Sequence, residues 1–382
     1  MTKSFNQIEG MNVRSRVTIS DVSDALGLTK STVSRALNNY SDISESTRLR
    51  VRRMADKMGY RPLSYAQAIR TGRTKSLGLV VQLSDHDAHR PFLAAFLAGL
   101  SQGASENGWT ITIATADNPE ATIDTIKTLI KDRKADGFIL ARTLRHDPRV
   151  AVLREADFPF VLFGRCVNPV GCAWHDVLGE DAMRDAVRQL VKLGHSRIGF
   201  IGGGTQYNYS ELRLEGFLEG MREAGQTPDP HHIKSDAMSI ETGEEASRAI
   251  LSSDNPPTAI VCAVDMAALG VYRTAASLGL DIGTDLSVIS YDGIPEGALV
   301  RPQLTTFAVD HTASGRALSR LLIRRIGGED IETLRELVPA TLQERGSSGP
   351  PRLTPTELAA RIAQLTKTTH KIQREENNES EI

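Results

Sequence analysis

Six polar side chains crowd one short stretch, and their types suit nucleic-acid recognition. Between Val17 and Asn38 the chain reads VTISDVSDALGLTKSTVSRALN. Lys30, Ser31, Thr32, Ser34, Arg35 and Asn38 are two cations, three hydroxyls and an amide, the mixture needed to meet phosphates and base edges. A bland alternative is a small helical hairpin with a solvated polar face. Other chemistry is thinly represented. The three cysteines, Cys166, Cys172 and Cys262, make neither a disulfide framework nor a zinc spacing. They are read as incidental, in keeping with a reducing cytoplasm. The glycine run GFIGGG at Gly199–Gly204 lacks the G-x-G-x-x-G order of a dinucleotide site. The histidines are scattered, and no nucleophile–base–acid set emerges, so the reading is not that of an enzyme. No metal or cofactor is expected.

The elements that would carry the polar face are legible. Thr18 precedes a first helix, and Asp21 three residues on makes a capping box. Val22, Ala25 and Leu26 are expected to share its apolar face. Gly27 permits a left-handed turn. Thr29 caps a second helix whose Val33, Ala36 and Leu37 face inward. Ser44 caps a third helix through about Met58, with Leu49, Val51, Met54, Ala55 and Met58 packing on the first two, and Gly59 ends it. From Ser76 the texture changes to strand–helix alternation: LGLVVQL, TITIATA, ADGFILA, PFVLFGR, SRIGFIGG, AIVCAVD and DLSVISYDG read as strands with helical stretches between. That pattern predicts parallel sheets with helices on both faces, and ligands at the carboxyl ends of the strands.

At 382 residues the chain is long enough for two or three domains. It contains no apolar run able to span a membrane, and residues 1–16 lack the apolar core of a signal peptide. The net charge of −2 hides an asymmetry. Arg14 to Lys75 holds 13 Lys or Arg against 5 Asp or Glu, while both chain ends balance, so residues 76–345 carry −10. A basic head on an acidic body fits a phosphate-binding module joined to a small-molecule domain.

The chain resembles the lactose-repressor family of bacterial transcription regulators. The matching residues are TISDVSDALGLTKSTVSRALNNYSDISESTRLRV, MGYRP, RTGRTKSLGLVV, LGHSRIGFIGG, RLEGF, DLSVISYDG and RPQLTTF, spread over about Val17 to Arg345. The resemblance implies a helix-turn-helix head on an α/β, two-lobed, periplasmic-binding-protein-like domain. The chain should cross three times between lobes that hold a small molecule. The expected organisation is an arm at 1–16, the DNA-binding head at 17–61, a hinge helix and linker at 62–75, and the effector and dimerisation domain at 76–345. Within that domain, lobe 1 is expected at 76–193 and 308–339, and lobe 2 at 194–307 and 340–345. The remaining 346–382 is a polar tail. TELAARIAQLTKTTHKIQ within it can form an amphipathic helix with Leu358, Ile362 and Leu365 on one side, read as a solvated extension rather than a dimer-stabilising helix.

The resemblance also implies roles. Lys30, Ser31 and Arg35 match base-reading positions, and Thr18, Ser34 and Asn38 match phosphate-contacting ones. Ile69 matches the hinge residue that wedges a minor-groove base step, where most relatives have Leu. Arg213 in LRLEGF matches a cleft arginine that clamps the ligand. Asp292 ends a strand, where a carboxylate can accept two sugar hydroxyls. Asp265 also ends a strand and either faces the ligand or caps the following helix. The loop after the first strand supplies Asp85, His89 and Phe92, the last either a stacking platform or core. Trp174 is an expected aromatic platform. The segment around it departs from the family, with Leu178-Gly179 in place of Asp-Asn and Val264 in place of a ligand-binding Asn. The expected partners are an operator in double-stranded DNA, a small effector of carbohydrate type, and a second copy of the chain in a homodimer or tetramer. A corepressor-dependent regulator sensing a purine, and a solute binder without DNA function, are the alternatives.

Overall fold

The structure, a computed structural model, describes residues 17–61, 72–83 and 92–365. It divides into two compact units, with the division between Thr74 and Lys75. Ile69, Asp85 and His89 lie outside the described residues.

The first unit is three helices, α1 (Ile19–Leu26), α2 (Lys30–Leu37) and α3 (Glu45–Met58). The capping box closes in full. Thr18 Oγ1 accepts the Asp21 N–H at 3.3 Å, and the Asp21 carboxylate accepts the Thr18 N–H at 2.7 Å. Gly27 ends α1 at φ 64°, a conformation costly for any residue with a Cβ. Thr29 caps α2 by accepting the Thr32 N–H at 3.1 Å. Val22, Val33, Ala36, Val51 and Ala55 form the core. Two expected core residues, Ala25 and Leu49, are exposed. Ser23, not expected in the core, is buried with its hydroxyl donating to the Ser20 carbonyl at 2.8 Å. The stripe that packs is Ile19, Val22, Ser23 and Leu26, spaced i, i+3, i+4 and i+7. Leu49 is 47% exposed, because α3 buries the Val51–Ala55–Met58 side and position 49 lies two residues, about 200°, round from Val51.

The second unit holds two six-stranded sheets. The first is built from β1 (Ser76–Gln82), β2 (Thr110–Ala116), β3 (Gly137–Leu140), β4 (Phe160–Phe163), β5 (Ala173–Val177) and β11 (Arg335–Val338), ordered 11-5-4-3-1-2 and parallel throughout. Helices α4 (Leu93–Glu106) and α11 (His311–Ile326) cover one face. Helices α5 (Pro119–Lys131) and α6 (Pro148–Glu155) cover the other. The second sheet is ordered 12-10-9-8-6-7: β6 (Ile198–Ile201), β7 (Ile233–Lys234), β8 (Ala259–Cys262), β9 (Ser287–Asp292), β10 (Thr305–Ala308) and an antiparallel edge strand β12 (Thr341–Gln343). Its faces are covered by α7 (Gly179–Lys192) with α8 (Asn208–Glu223), and by α9 (Ile240–Leu251) with α10 (Asp265–Ser277). The chain passes between the sheets after β5, β10 and β11.

Two expected boundaries are corrected. The first lobe does not extend to residue 193, because α7 packs on the second sheet. Met183, Ala186, Val187 and Leu190 share a core with Phe200, Phe217 and Tyr291. Amphipathic spacing shows that a helix has a buried face, not which sheet it covers. The tail is not solvated from residue 346. Buried Ser347 donates to the Val288 carbonyl at 2.6 Å and accepts the Thr305 N–H at 2.8 Å, completing the end of the second sheet. Residues 355–365 form a helix, α12, that buries Leu358 and Ile362 in the core beside α10.

Candidate functional site

The polar face of α2 is presented as expected. Lys30, Ser31 and Arg35 are exposed, while Ser34 and Asn38 lie at the margin of the head's core. Not all of these groups are idle. The Arg35 guanidinium pairs with Asp42 and lies 5.2 Å from the Tyr40 ring centroid. Asn38 spends one amide proton on the Ser34 carbonyl at 2.7 Å. Thr18 is committed to its cap, since its hydroxyl also donates to Asp21 at 2.9 Å.

In the second unit, a cavity of about 550 Å³ opens at the carboxyl ends of the strands of both sheets. Arg213, on the second turn of α8, is its centrepiece. It is 8% exposed, its Nη1 donates to the Ala263 carbonyl at 2.6 Å, and its guanidinium lies 3.8 Å from the Tyr291 ring centroid and 4.5 Å from that of Tyr209. Two aromatic faces and a carbonyl fix the fork in place. Its buried Nε has no partner among the described residues. Gly179 makes the room: a Cβ there would meet Arg213 Nε at 3.0 Å and Cγ at 3.1 Å. The departure from Asn at this position therefore leaves the arginine space to lie flat.

Asp292 faces the same space, 3.9 Å from Arg213 Nη1. Its backbone is strained at φ 127°. Burial raises its pKa to about 7, against the pull of Arg213 and with the help of the Asp265 charge. Asp265 itself does not line the cavity. It is fully buried at the start of α10, where Oδ2 accepts the Gly293 and Ile294 N–H groups at 2.8 and 2.9 Å and Oδ1 accepts the Thr306 hydroxyl at 2.8 Å. Neither expected role holds. Asp265 braces the turn that aims Asp292.

Phe92 is partly core, as one of its two readings had it, and also borders the cavity. It lines the cavity and packs on the core of the first sheet, 5.0 Å from the His311 ring. Trp174 does not face the cavity. Its ring packs with the core under α5 and α6, beneath the Arg335 guanidinium at 4.3 Å, whereas Asp176, on the same strand face but two residues nearer the carboxyl end of β5, lines the cavity. Arg165 holds that wall, donating to Asp176 and to Glu180 at 2.6 Å each.

Several lining residues were not singled out beforehand. His311 opens α11, and both ring nitrogens are buried without a partner among the described residues. Burial and the charge of Arg213 depress its pKa to about 4, so the ring is neutral near pH 7 and offers one donor and one acceptor. Arg142 lies 4.6 Å from the Tyr207 ring across the mouth. Tyr209 stands four residues before Arg213, hence on the same helix face, a signal that was available in the sequence. Beside Arg142 the two lobes are stitched together: Leu144 and Tyr207 form an antiparallel bridge, Arg145 N–H donates to Gln206 at 3.0 Å, Asn208 N–H donates to Thr143 at 3.1 Å, and Arg145 pairs with Glu211 at 2.7 Å.

Among the described residues, no cluster is suited to hold a metal ion and no helix is long and apolar enough to cross a membrane. The description "Bacterial regulatory proteins, lacI family" matches residues 18–63, and "Periplasmic binding protein-like domain" matches 187–348. The HTH-type transcriptional regulator AglR of Rhizobium meliloti (strain 1021) is 34% identical over 346 residues, 87% of this chain and 95% of the relative. A transcriptional regulator CelR–cellobiose complex is 27% identical with a TM-score of 0.67, covering 87% of this chain and all of that one. The lac repressor dimer bound to operator and the anti-inducer ONPF, at 24% identity and a TM-score of 0.73 over 88% of this chain and 100% of that one, shares the fold. The chain belongs to the lacI family of bacterial regulatory proteins, as a transcription regulator with a DNA-binding head and an effector-binding domain.

Proposed function

We propose that the protein is a homodimeric cytoplasmic repressor that binds a palindromic operator and releases it when a sugar or sugar derivative occupies the cavity. The observation that carries this reading is the company around Arg213. A carboxylate, Asp292, and an unpartnered neutral imidazole, His311, stand beside aromatic faces from Phe92, Tyr207 and Tyr209 in one enclosed space. Hydroxyls of a pyranose suit the polar set, and its C–H faces suit the rings. The CelR relative, whose complex contains cellobiose, supports the class. On the DNA side, Lys30, Ser31 and Arg35 are the base readers, Ser34 and Asn38 the phosphate contacts, and Ile69 the hinge wedge. Thr18 contributes by capping α1. Two-fold symmetry in the protein implies two-fold symmetry in the operator.

The test is thermal unfolding of the purified protein against mono- and disaccharides, sugar phosphates and purines. A ligand present at a hundred times its Kd adds about 2.7 kcal/mol if it binds only the folded state. We expect a saccharide to raise the melting temperature and Arg213→Ala to abolish the rise. A purine hit in place of a sugar would transfer the protein to the corepressor class.

A further inference from the structure

Arg142, Tyr207, Tyr209, Arg213 and Tyr291 form an unbroken run of ring and guanidinium contacts along the cavity wall. The Arg142 guanidinium lies 4.6 Å from the Tyr207 ring centroid. The Tyr207 and Tyr209 rings are stacked, 5.4 Å apart and 10° from parallel. The Arg213 guanidinium continues the run, 4.5 Å from the Tyr209 ring and 3.8 Å from that of Tyr291. Each link joins a cation to a π face or one π face to the next. Tyr207, Tyr209, Arg213 and Tyr291 belong to the second lobe. Arg142 comes from the first, two residues after β3.

Arg142 is held in place against its own backbone preference. Its φ is 53°, in the left-handed region that a side chain resists. The Arg149 guanidinium fixes the turn, donating to the Ala141 carbonyl at 3.1 Å and to the Arg142 carbonyl at 3.2 Å while paired with buried Asp147 at 2.6 Å. Arg142 Nη2 also comes within 3.9 Å of Met238 Sδ, again on the second lobe. On the receiving side, the glycine run that lacks dinucleotide-site order finds its use. A Cβ on Gly203 would meet the Tyr209 ring at 3.1 Å, and one on Gly204 would meet Met238 Sδ at 2.5 Å and the Tyr207 ring at 3.0 Å. Glycine at both positions leaves room for the rings and the thioether that receive Arg142.

We propose that Arg142 is a positioning residue, which latches the first lobe onto the second through the Tyr207 face and, by way of the stack, ties that latch to the effector arginine. The inference rests on reading the cavity as the effector site. A ligand that takes hydrogen bonds from Arg213 acts on the guanidinium that Tyr209 stacks against, and Tyr209 stacks in turn on the ring that Arg142 covers. Occupancy of the cavity and the joining of the lobes therefore draw on one set of contacts. The two main-chain hydrogen bonds beside the latch, Arg145 N–H to Gln206 and Asn208 N–H to Thr143, open when it opens.

The test needs neither ligand nor DNA. A thermal-shift panel without a saccharide hit would sink the effector reading and leave this result standing. Hydrogen–deuterium exchange of the full-length protein, read by mass spectrometry, follows the peptides that contain the Arg145 and Asn208 amides, which report separation of the lobes. We expect Arg142→Gln to speed their exchange about 2–30-fold, the range that loss of one cation–π contact allows, and to leave amides of β8 and α7 inside the second lobe unchanged. Tyr207→Phe keeps the ring face and should exchange like the parent. Tyr207→Leu should match Arg142→Gln, and the double variant should be no faster than either. Arg213→Gln, at the other end of the stack, should speed the same two amides. Arg335→Gln, which removes the guanidinium over Trp174 within the first lobe, should not. Parental exchange in Arg142→Gln would overturn the latch, and so would a rise that includes β8 and α7, since that marks a general support of the fold. Multiplying effects in the double variant would overturn the route through Tyr207. Parental exchange in Arg213→Gln would overturn the tie to the effector arginine.

Discussion

Asp292 combines a strained backbone with a carboxyl whose pKa is lifted to about 7, chiefly by burial. In the unfolded chain the same group titrates near ~3.9. Between these values the folded protein holds more protons than the unfolded one, so this residue's contribution to stability is present at low pH and is lost as pH rises through about 7. Ligand binding should run the other way, because a carboxylate accepts hydroxyl hydrogens and its protonated form accepts fewer. Of the groups that face it, His311 is neutral above about pH 4, while Asp265, whose own carboxyl is pushed up by burial, titrates together with it. We expect the melting temperature of the free protein to fall from about pH 5 to about pH 8 and saccharide affinity to rise over the same span. Both slopes should flatten in Asp292→Asn, and an unchanged slope would assign the proton elsewhere. Arg35 makes a prediction on the DNA side. Its partner Asp42 is 49% exposed, so the pair is weak and DNA can displace it at small cost. Arg35→Ala should cost about 1–3 kcal/mol and relax specificity at one base pair, whereas Ser34→Ala, at a proposed phosphate contact, should weaken all sequences alike. Gel-shift titrations across single-base operator variants separate the two patterns.

The helix α12 shows what sequence reading at the level of elements can and cannot do. Its amphipathic spacing was legible in Leu358, Ile362 and Leu365, but not the surface that receives it. That surface is assembled from Ala275, Leu280 and neighbours far away in the chain. Thr354 and Glu357 start the helix with a capping box, the Thr354 N–H and the Glu357 carboxylate meeting at 2.8 Å. Arg361 reaches buried Asp285 at 3.1 Å. Leu358→Ala should therefore destabilise the protein by about 2–5 kcal/mol, the usual cost of emptying a fully buried leucine site, and chemical denaturation measures it. A solvated helix would show no change. Strand β5 was missed for a related reason. AWHDV does not read as a strand, because its buried His175 looks polar until Ser314 and Glu336 are seen 3.2 and 3.3 Å from its ring nitrogens. Six of the seven strands named in advance are apolar runs whose burial needs no distant partner to explain it, and the seventh, β2, is a half-exposed edge strand legible from its alternation of Thr with apolar residues. At the site, Arg213 and Asp292 were legible from their motif and their strand end. His311 was not, because its role comes from meeting Phe92 and Arg213, which lie over two hundred and about one hundred residues away in the chain.

Across the whole chain, the basic segment 14–75 and the acidic segment 76–345 divide two tasks, and regulation requires them to share free energy. If an effector lowers operator affinity by some factor, the operator must lower effector affinity by the same factor, because both describe one thermodynamic cycle. Tight binding in the cavity is therefore not sufficient. A ligand that bound the free and DNA-bound forms equally would shift nothing. The contacts joining the lobes at Leu144–Tyr207 and Arg145–Glu211 are where such a difference can be stored, since they persist only in lobe arrangements that bring the 142–145 and 206–211 segments together. The pair Arg145–Glu211 is 42% exposed on both sides, so breaking it should spare the fold. We expect the saccharide identified by thermal shift to bind the operator complex about 5–150-fold more weakly than the free protein, the usual range of such couplings, with an equal loss of operator affinity at saturating saccharide. Glu211→Gln should change this ratio while leaving operator affinity without saccharide within about twofold, a shift of under ~0.5 kcal/mol. Calorimetric titration of saccharide with and without operator gives the ratio directly. Equal affinities in the two titrations would mean that the cavity binds its ligand without governing the head.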